Sequence, residues 1–335
     1  MSTKKENLKI VLENMAYGAD ISRPEQRGLL SARKGDFALL FDMENRRLMG
    51  PFIVRTGPFH TSDTLWPNTK WNFVIGLKPS SIKIGVVEGR RLTDLIVERG
   101  RLSLRDPMTL ITYWIHTVIY EEAQNFFEGF MDSATFISLD NLLKLYNVNT
   151  TSRWTPTREG DIALDKYVCN SLESLENTKK LFRSIPEYLI EASIARDTDF
   201  ASSLIPAPNT SLIATGVYVY SRRYLDIAVY SSKPTWFAVI EVKRALQRDR
   251  ELRSSVDQVS YYVYSLRKAF KLAKNRIYPI IVSLKVERGL NIPDTVRQIA
   301  DHYDLRPDLY SLLEIRIKCY DNKPKIYINE IFDIG

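Results

Sequence analysis

Cysteine and histidine are scarce in this chain of 335 residues, which contains two cysteines and three histidines. Cys169 and Cys319 do not have the spacing of metal ligands, and a domain of this size does not require a disulfide. The histidines, His60, His116 and His302, lie far apart in the sequence. A histidine-metal cluster and a histidine-dependent catalytic site are therefore disfavoured.

Long apolar runs and nucleotide-binding motifs are missing as well. No window approaches about 18 uninterrupted apolar residues, so we expect neither a transmembrane helix nor a membrane partner. The first residues, Met1 to Asn7, lack the apolar centre of a signal peptide, and we therefore expect a cytoplasmic protein. Neither G-x-x-x-x-G-K-[ST] nor G-x-G-x-x-G occurs, which disfavours nucleotide hydrolysis by this chain.

What the chain does have is a surplus of positive charge. With 47 Lys and Arg against 40 Asp and Glu, the net charge is +7, which favours a polyanionic partner without proving one. The length allows two domains. The polar, aperiodic stretch 147–160 predicts a linker between a first domain, residues 1–146, and a second domain, residues 161–335.

The most informative stretch runs from Arg222 to Leu246. One strand pattern carries Asp226, and a second apolar strand ends in Glu241-Val242-Lys243. Side chains alternate along a strand, so the Glu and the Lys share a face, and pairing of the two strands would add Asp226. A solvated strand face is the alternative, but charges between such apolar flanks are costly unless paired or metal-bound. The pattern therefore predicts a divalent-metal site with a basic group beside it.

This arrangement resembles the PD-(D/E)xK nucleases, the restriction-endonuclease-like superfamily, over roughly residues 161–334. The resemblance implies that Asp226 and Glu241 bind Mg²⁺, with Mn²⁺ able to substitute, and that Lys243 positions or activates the attacking water. Leu225 stands where relatives frequently have Gly, and the proline that often precedes the Asp is missing. Neither departure removes a metal ligand.

The same resemblance implies two further site residues on helices. Gln258 is the candidate on the helix after the Lys strand, and Glu187 is the preferred upstream carboxylate and third metal ligand, with Glu191 as the alternative. Arg244 and Arg248 follow the catalytic Lys and are candidates for phosphate contacts. A solvated helix face is the alternative reading of these two arginines.

The first domain shows a series of short strand patterns with turns between them, which predicts a small barrel or a curled sheet. A short helix is expected at Pro24, and a helical segment over 106–130. The strand patterns are Leu8–Leu12, Phe37–Phe41, Arg47–Val54, Trp71–Gly76 and Ile82–Val86.

This order resembles the PUA-like superfamily, in particular its YTH, EVE and DCD branches, over roughly residues 6–105. The segments that carry it are 28–30, 34–41, 48–52, 66–67 and 71–73. The resemblance implies nucleic-acid recognition, with Trp66 and Trp71 as the best candidates for a base-binding aromatic cage and Tyr17 and Phe59 as second choices. The alternative is that a strand-borne Trp71 belongs to the core, whereas the loop position of Trp66 gives it less reason to be buried.

Together the two resemblances imply an N-terminal PUA-like barrel followed by a restriction-endonuclease-like α/β/α domain with a mixed central sheet. The expected function is that of a Mg²⁺-dependent DNA endonuclease that reads a modified or flipped base, in restriction or in DNA repair. An RNA-directed nuclease and a catalytically silent nucleic-acid-binding protein are the alternatives. A homodimer and an ATPase partner acting in trans stay open.

Overall fold

A computed structural model describes residues 2–62, 65–66, 71–99, 120–156, 161–177, 184–206, 212–219, 223–232, 235–332 and 334. The chain divides into two compact units, residues 1–164 and 165–335. Each unit has its own sheet, so the fold is mixed α/β, as expected. None of the helices in these ranges is long and apolar enough to cross a membrane.

Unit 1 combines nine strands with four α-helices and a 3-10 helix among its described residues. The strands are β1 (Ser2–Thr3), β2 (Ala16–Ala19), β3 (Phe37–Asp42), β4 (Arg47–Val54), β5 (Phe59–His60), β6 (Phe73–Pro79), β7 (Lys83–Glu88), β8 (Thr135–Ser138) and β9 (Ile162–Ala163). The helices are α1 (Lys5–Asn14), a 3-10 helix (Pro24–Ser31), α2 (Gly89–Arg99), α3 (Tyr120–Ser133) and α4 (Leu139–Leu145).

The described strands of unit 1 form a branched sheet, and the expected closed barrel is not found among them. The strand order is β1-β3-β4-β6-β5-β9, with β2 added to β6, β7 to β4, and β8 to β7. The branch lies at β4, because residues 47–50 of this strand pair with β7 while residues 52–54 pair with β6. Two strands, β6 and β7, therefore pair with the same edge of β4 at different positions along it, and the sheet branches at β4.

Two further predictions for unit 1 concern the helices α1 and α3. The segment Leu8–Leu12 is part of helix α1 and not a strand, because Leu8, Val11 and Leu12 are buried at helical spacing. The predicted helix over 106–130 is seen only as α3, since residues 106–119 lie outside the described part.

The stretch predicted as a linker lies against unit 1 over its described residues. The backbone N–H groups of Ser152 and Trp154 donate to the carbonyls of Glu13 and Asn14 at 2.6 and 2.8 Å. Trp154 is buried. These contacts attach residues 152–154 to the end of α1.

Unit 2 is built on a six-stranded mixed sheet in the order β10-β11-β12-β13-β14-β15. The β12–β13 and β13–β14 pairs are parallel, and the other three pairs are antiparallel. The strands are β10 (Leu212–Val219), β11 (Arg223–Ser232), β12 (Thr235–Lys243), β13 (Ile277–Ser283), β14 (Ser311–Tyr320) and β15 (Lys323–Phe332). The α-helices are α5 (Leu164–Asn177), α6 (Glu187–Arg196), α7 (Thr198–Ser203), α8 (Asp249–Phe270) and α9 (Ile292–His302).

The core of unit 2 forms where helices meet this sheet. The long helix α8 contacts β12, β13 and α9, and its buried side chains recur at helical spacing. They are Leu252, Val256, Val259, Val263 and Leu266. Helix α6 contacts β10, β11, β12 and β15, so it packs against the hairpin of β11 and β12.

The two cysteines, for which no disulfide was required, form one in the structure. Cys169 of α5 and Cys319 of β14 are bonded with their Cα atoms 5.7 Å apart. The bond joins a helix to the sheet within unit 2.

Candidate active site

The candidate site lies where the paired strands β11 and β12 continue past their last hydrogen-bonded residues. Their antiparallel ladder ends at the pair of Ile227 and Ile240, both completely buried. One further step along each strand places Asp226 opposite Glu241, on the same face of the sheet. The N–H of Val242 donates to Asp226 Oδ2 at 2.8 Å, which fixes the Asp carboxylate beside the end of β12.

The carboxylate of Glu241 is almost completely buried, with 1% of the residue exposed. Its Oε1 accepts a charged hydrogen bond from Lys243 Nζ, as expected for two residues on one strand face. Its Oε2 is buried and has no hydrogen-bond partner among the described residues. A buried polar atom without a partner is unfavourable, so this oxygen is suited to a ligand that the protein chain itself does not provide.

Burial and neighbouring charges both shift the pKa values of Glu241 and Lys243. Burial raises the pKa of Glu241 well above its usual range, and the charge of Asp226 raises it further, while Lys243 lowers it. Burial lowers the pKa of Lys243, but the charges of Glu241 and Asp226 outweigh that effect, so its pKa is raised. Lys243 therefore stays an ammonium beside Glu241 and Asp226.

Of the two upstream carboxylates, Glu187 contributes negative charge to the site. It lies in the first turn of α6 and is partly buried. Its negative charge raises the pKa of both Glu241 and Lys243. Glu191 lies one turn further along α6 and is completely buried.

Gln258 is close to the site through a neighbour that was not predicted as a site residue. Its Nε2 donates to Tyr262 Oη at 2.9 Å, and Tyr262 Oη donates to the carbonyl of Tyr224 on β11 at 2.9 Å. Burial and then the charge of Glu241 raise the pKa of Tyr262. The spacing i, i+4 of Gln258 and Tyr262 on α8 was the signal in the sequence, because such side chains are neighbours on a helix.

A glycine of β10 next to Asp226 was also missed. Gly216 has a φ of +56°, which L side chains rarely adopt. In the ladder between β10 and β11, Thr215 pairs with Ile227 and Val217 pairs with Leu225. Gly216 and Asp226 lie opposite each other between these two pairs but are not themselves paired. A glycine inside a strand pattern is the signal of such an irregularity or close approach.

The two arginines that follow Lys243 are exposed. Arg244 comes directly after β12, and Arg248 is the N-cap residue of α8. Both residues follow the end of β12 that carries Glu241 and Lys243. This position suits contacts with a charged substrate at the rim of the site.

The aromatic residues predicted as a cage lie together in unit 1 but are buried. Trp66 and Trp71 have ring centres 5.2 Å apart, and Tyr17 and Trp71 have ring centres 5.9 Å apart. No more than 3% of any of the three is exposed, so none presents a ring face to solvent. Trp66 is thus fully packed despite its loop position. Phe59 is partly buried and lies edge-on to Trp154, with ring centres 6.1 Å apart.

Whether Asp226 and Glu241 fit a metal ion depends on the kind of metal. Across the described ranges, no three Asp, Glu, His or Cys side chains form a group that could hold an ion by themselves. Mg²⁺, however, is usually bound by one or two carboxylates together with water and substrate phosphate. The facing carboxylates and the unpartnered Oε2 of Glu241 fit that mode.

Comparison with models of protein families, with curated proteins and with solved structures finds no match to this chain.

Proposed function

We propose that the protein is a Mg²⁺-dependent nuclease whose active site is formed by Asp226, Glu241 and Lys243. The observation that carries the proposal is the buried Oε2 of Glu241, which lacks a partner among the described residues and lies beside a second carboxylate and a protonated lysine. The mixed sheet of unit 2, with its carboxylates at the end of two paired strands, supports a restriction-endonuclease-like fold.

In this proposal each residue has a separate task. Asp226 and Glu241 hold the metal ion, and Glu187 adds negative charge from the start of α6. When bound, Mg²⁺ polarises the phosphate and lowers the pKa of a coordinated water. The Lys243 ammonium offsets the negative charge that develops on the phosphate in the transition state. Gln258 and Tyr262 hold α8 against β11 beside the site.

Unit 1 is proposed as the recognition module, of PUA-like type, for a nucleic acid with a modified or flipped base. Tyr17, Trp66 and Trp71 are the candidates for stacking on that base, and this role requires at least one ring face to become accessible. Restriction or DNA repair is the proposed context. A cytoplasmic location belongs to the same proposal, although the Cys169–Cys319 disulfide is more typical of oxidising compartments.

The test is a cleavage panel with plain and modified duplex DNA, single-stranded DNA and structured RNA, in Mg²⁺, in Mn²⁺ and in EDTA. The proposal predicts metal-dependent cutting by the wild type and none by Glu241→Ala. Cutting of RNA alone would replace DNA as the substrate. Binding without cutting of any substrate in either metal would contradict the nuclease and favour a recognition protein.

A further inference from the structure

A row of side chains on α8 combines aromatic rings with charge and does not belong to the buried face of the helix. Asp257, Tyr261, Tyr264 and Lys268 follow the spacing i, i+4, i+7 and i+11, which places them on one stripe. The two tyrosines are partly buried and Lys268 is exposed. The core stripe of α8 is made of other residues, so the fold does not need these rings for its interior.

The rings of this stripe are held in place by neighbouring elements. Tyr303, at the end of α9, has its ring centre 5.9 Å from that of Tyr264. Its Oη donates to Asp257 Oδ1 at 3.0 Å. This bond ties α9 to α8, so that Tyr264 and Tyr303 form a fixed pair.

Two cations accompany the rings. The Arg223 guanidinium carbon lies 4.7 Å from the ring centre of Tyr261, and Lys268 Nζ lies 4.3 Å from that of Tyr264 and donates to its Oη. Both cations belong to exposed residues. In the part of the chain that the structure describes, neither forms a salt bridge with a carboxylate, so their charge remains available to an anion.

This surface begins at the candidate active site. Arg223 comes three positions before Asp226 on β11. The ring centre of Tyr261 lies 6.1 Å from that of Tyr262. The pKa of Tyr262 is raised, mainly by burial and by the charge of Glu241, while the charge of Arg223 has a smaller, opposite effect. Both Glu241 and Arg223 therefore act on Tyr262. From Tyr261 to Lys268 the stripe extends about 10 Å along the helix axis. It therefore leads away from the carboxylates along α8.

We propose that Arg223, Tyr261, Tyr264, Lys268 and Tyr303 form a binding track for a single-stranded segment of nucleic acid. Aromatic faces stack on any base, and cations beside them contact the phosphates, which is the combination used by proteins that bind single strands. The inference rests on the proposed nuclease function and refines it. It implies that the strand is unpaired next to the phosphate that is cut.

The test is a binding measurement without divalent metal, so that it does not depend on cleavage. Fluorescence anisotropy of labelled single-stranded DNA and RNA of about 12 nucleotides, and of the matching duplex, is measured in EDTA. The variants are Tyr261→Leu with Tyr264→Leu, and Arg223→Gln. The matched control is Tyr327→Leu, which removes a tyrosine that is 46% exposed on β15. Circular dichroism melting verifies that each variant is folded.

We expect the double tyrosine variant to bind single strands at least about 10-fold more weakly than the wild type, because stacking on two rings is lost. Arg223→Gln should bind more weakly and show a salt dependence that is shallower by about 0.7, the loss of one phosphate contact. The DNA and RNA arms show which sugar is preferred.

Equal affinity of the double variant and the Tyr327→Leu control would overturn the track. Duplex binding that is as tight as single-strand binding, and that is weakened equally in the variant, would also overturn it. A wild type that cuts nothing, but whose single-strand binding depends on the two tyrosines, would contradict the nuclease and leave the track standing. Cleavage by the wild type, together with single-strand binding that does not depend on the two tyrosines, would contradict the track and support the nuclease.

Discussion

A buried carboxylate beside a second carboxylate is stabilised by a nearby cation, a proton or hydrogen-bond donors. Glu241 has Lys243 on one oxygen, while its other oxygen has no partner in the described residues. Asp226 accepts a backbone N–H from Val242 and adds to the negative charge. At the scale of single residues, one buried oxygen of Glu241 is therefore left for a cation that the described residues do not provide.

Because this oxygen is the proposed metal ligand, Glu241→Gln should weaken Mn²⁺ binding by more than about 10-fold, since even indirect partners of metal sites have effects of that order. Isothermal titration calorimetry of the whole protein measures the affinity. Glu330→Gln, which changes an exposed carboxylate on β15, is the control. Equal affinities of all three proteins would rule out Glu241 as a ligand.

The packing of Trp66 allows a second test at the residue scale. A Cβ at Gly18 would lie 2.4 Å from Trp66 Cζ3, which is too close for two carbon atoms. Gly18→Ala should therefore destabilise unit 1 by about 1–3 kcal/mol through overpacking. Gly57→Ala is the control, because a Cβ there meets nothing within 4 Å.

The measurement is unfolding in denaturant, followed by tryptophan fluorescence. A lower midpoint for Gly18→Ala than for Gly57→Ala is expected. Identical midpoints would mean that Trp66 moves aside easily, which would instead favour its role in an opening cage.

Among the secondary-structure elements, those with a strong local pattern could be predicted from the sequence. The strands β11 and β12 and the helix α8 follow their apolar periodicity closely, and Asp226, Glu241 and Lys243 could be placed on one face for that reason. Helix α1 was misread as a strand, because five residues with four apolar positions fit both periods. Gly216 and Tyr262 had only weak local signals, a glycine inside a strand pattern and an i, i+4 spacing, and tertiary contacts show their position at the site.

The disulfide gives a prediction at the element scale. It joins α5 to β14 across a sequence separation of 150 residues. Cross-linking such a distant pair restricts the unfolded chain, so Cys319→Ser should lower the free energy of unfolding of unit 2 by about 2–4 kcal/mol. Urea unfolding of the variant and the wild type measures the difference.

Dithiothreitol provides the control for this experiment. With the reductant present, the wild type should unfold at nearly the same urea concentration as the variant. A wild type whose stability is the same with and without the reductant, and the same as that of the variant, would contradict a stabilising bond.

At the scale of the whole molecule, the α/β class could be predicted from the alternation of apolar patterns, but the sheet of unit 1 could not. Its fork at β4 arises because two halves of one strand pair with β6 and β7, and no local pattern indicates which partner each half selects. The aromatic stripe depends in the same way on β11, α8 and α9 meeting in space.

The net charge of +7 gives a prediction at this scale too. Binding of a nucleic acid releases counterions, so the affinity should fall linearly on a log-log plot against salt concentration. We expect at least about a 10-fold loss of affinity between 50 and 200 mM salt, measured by anisotropy in EDTA. An affinity that does not change with salt would contradict phosphate binding.

The most direct test of the central claim is the single-turnover cleavage rate of one labelled substrate at saturating Mn²⁺, compared among wild type, Glu241→Ala and Glu330→Ala. If Asp226, Glu241 and Lys243 form the active site, Glu241→Ala cuts at least about 100-fold more slowly than wild type, while Glu330→Ala cuts at the wild-type rate. Equal rates for the wild type and Glu241→Ala would contradict the assignment of this site.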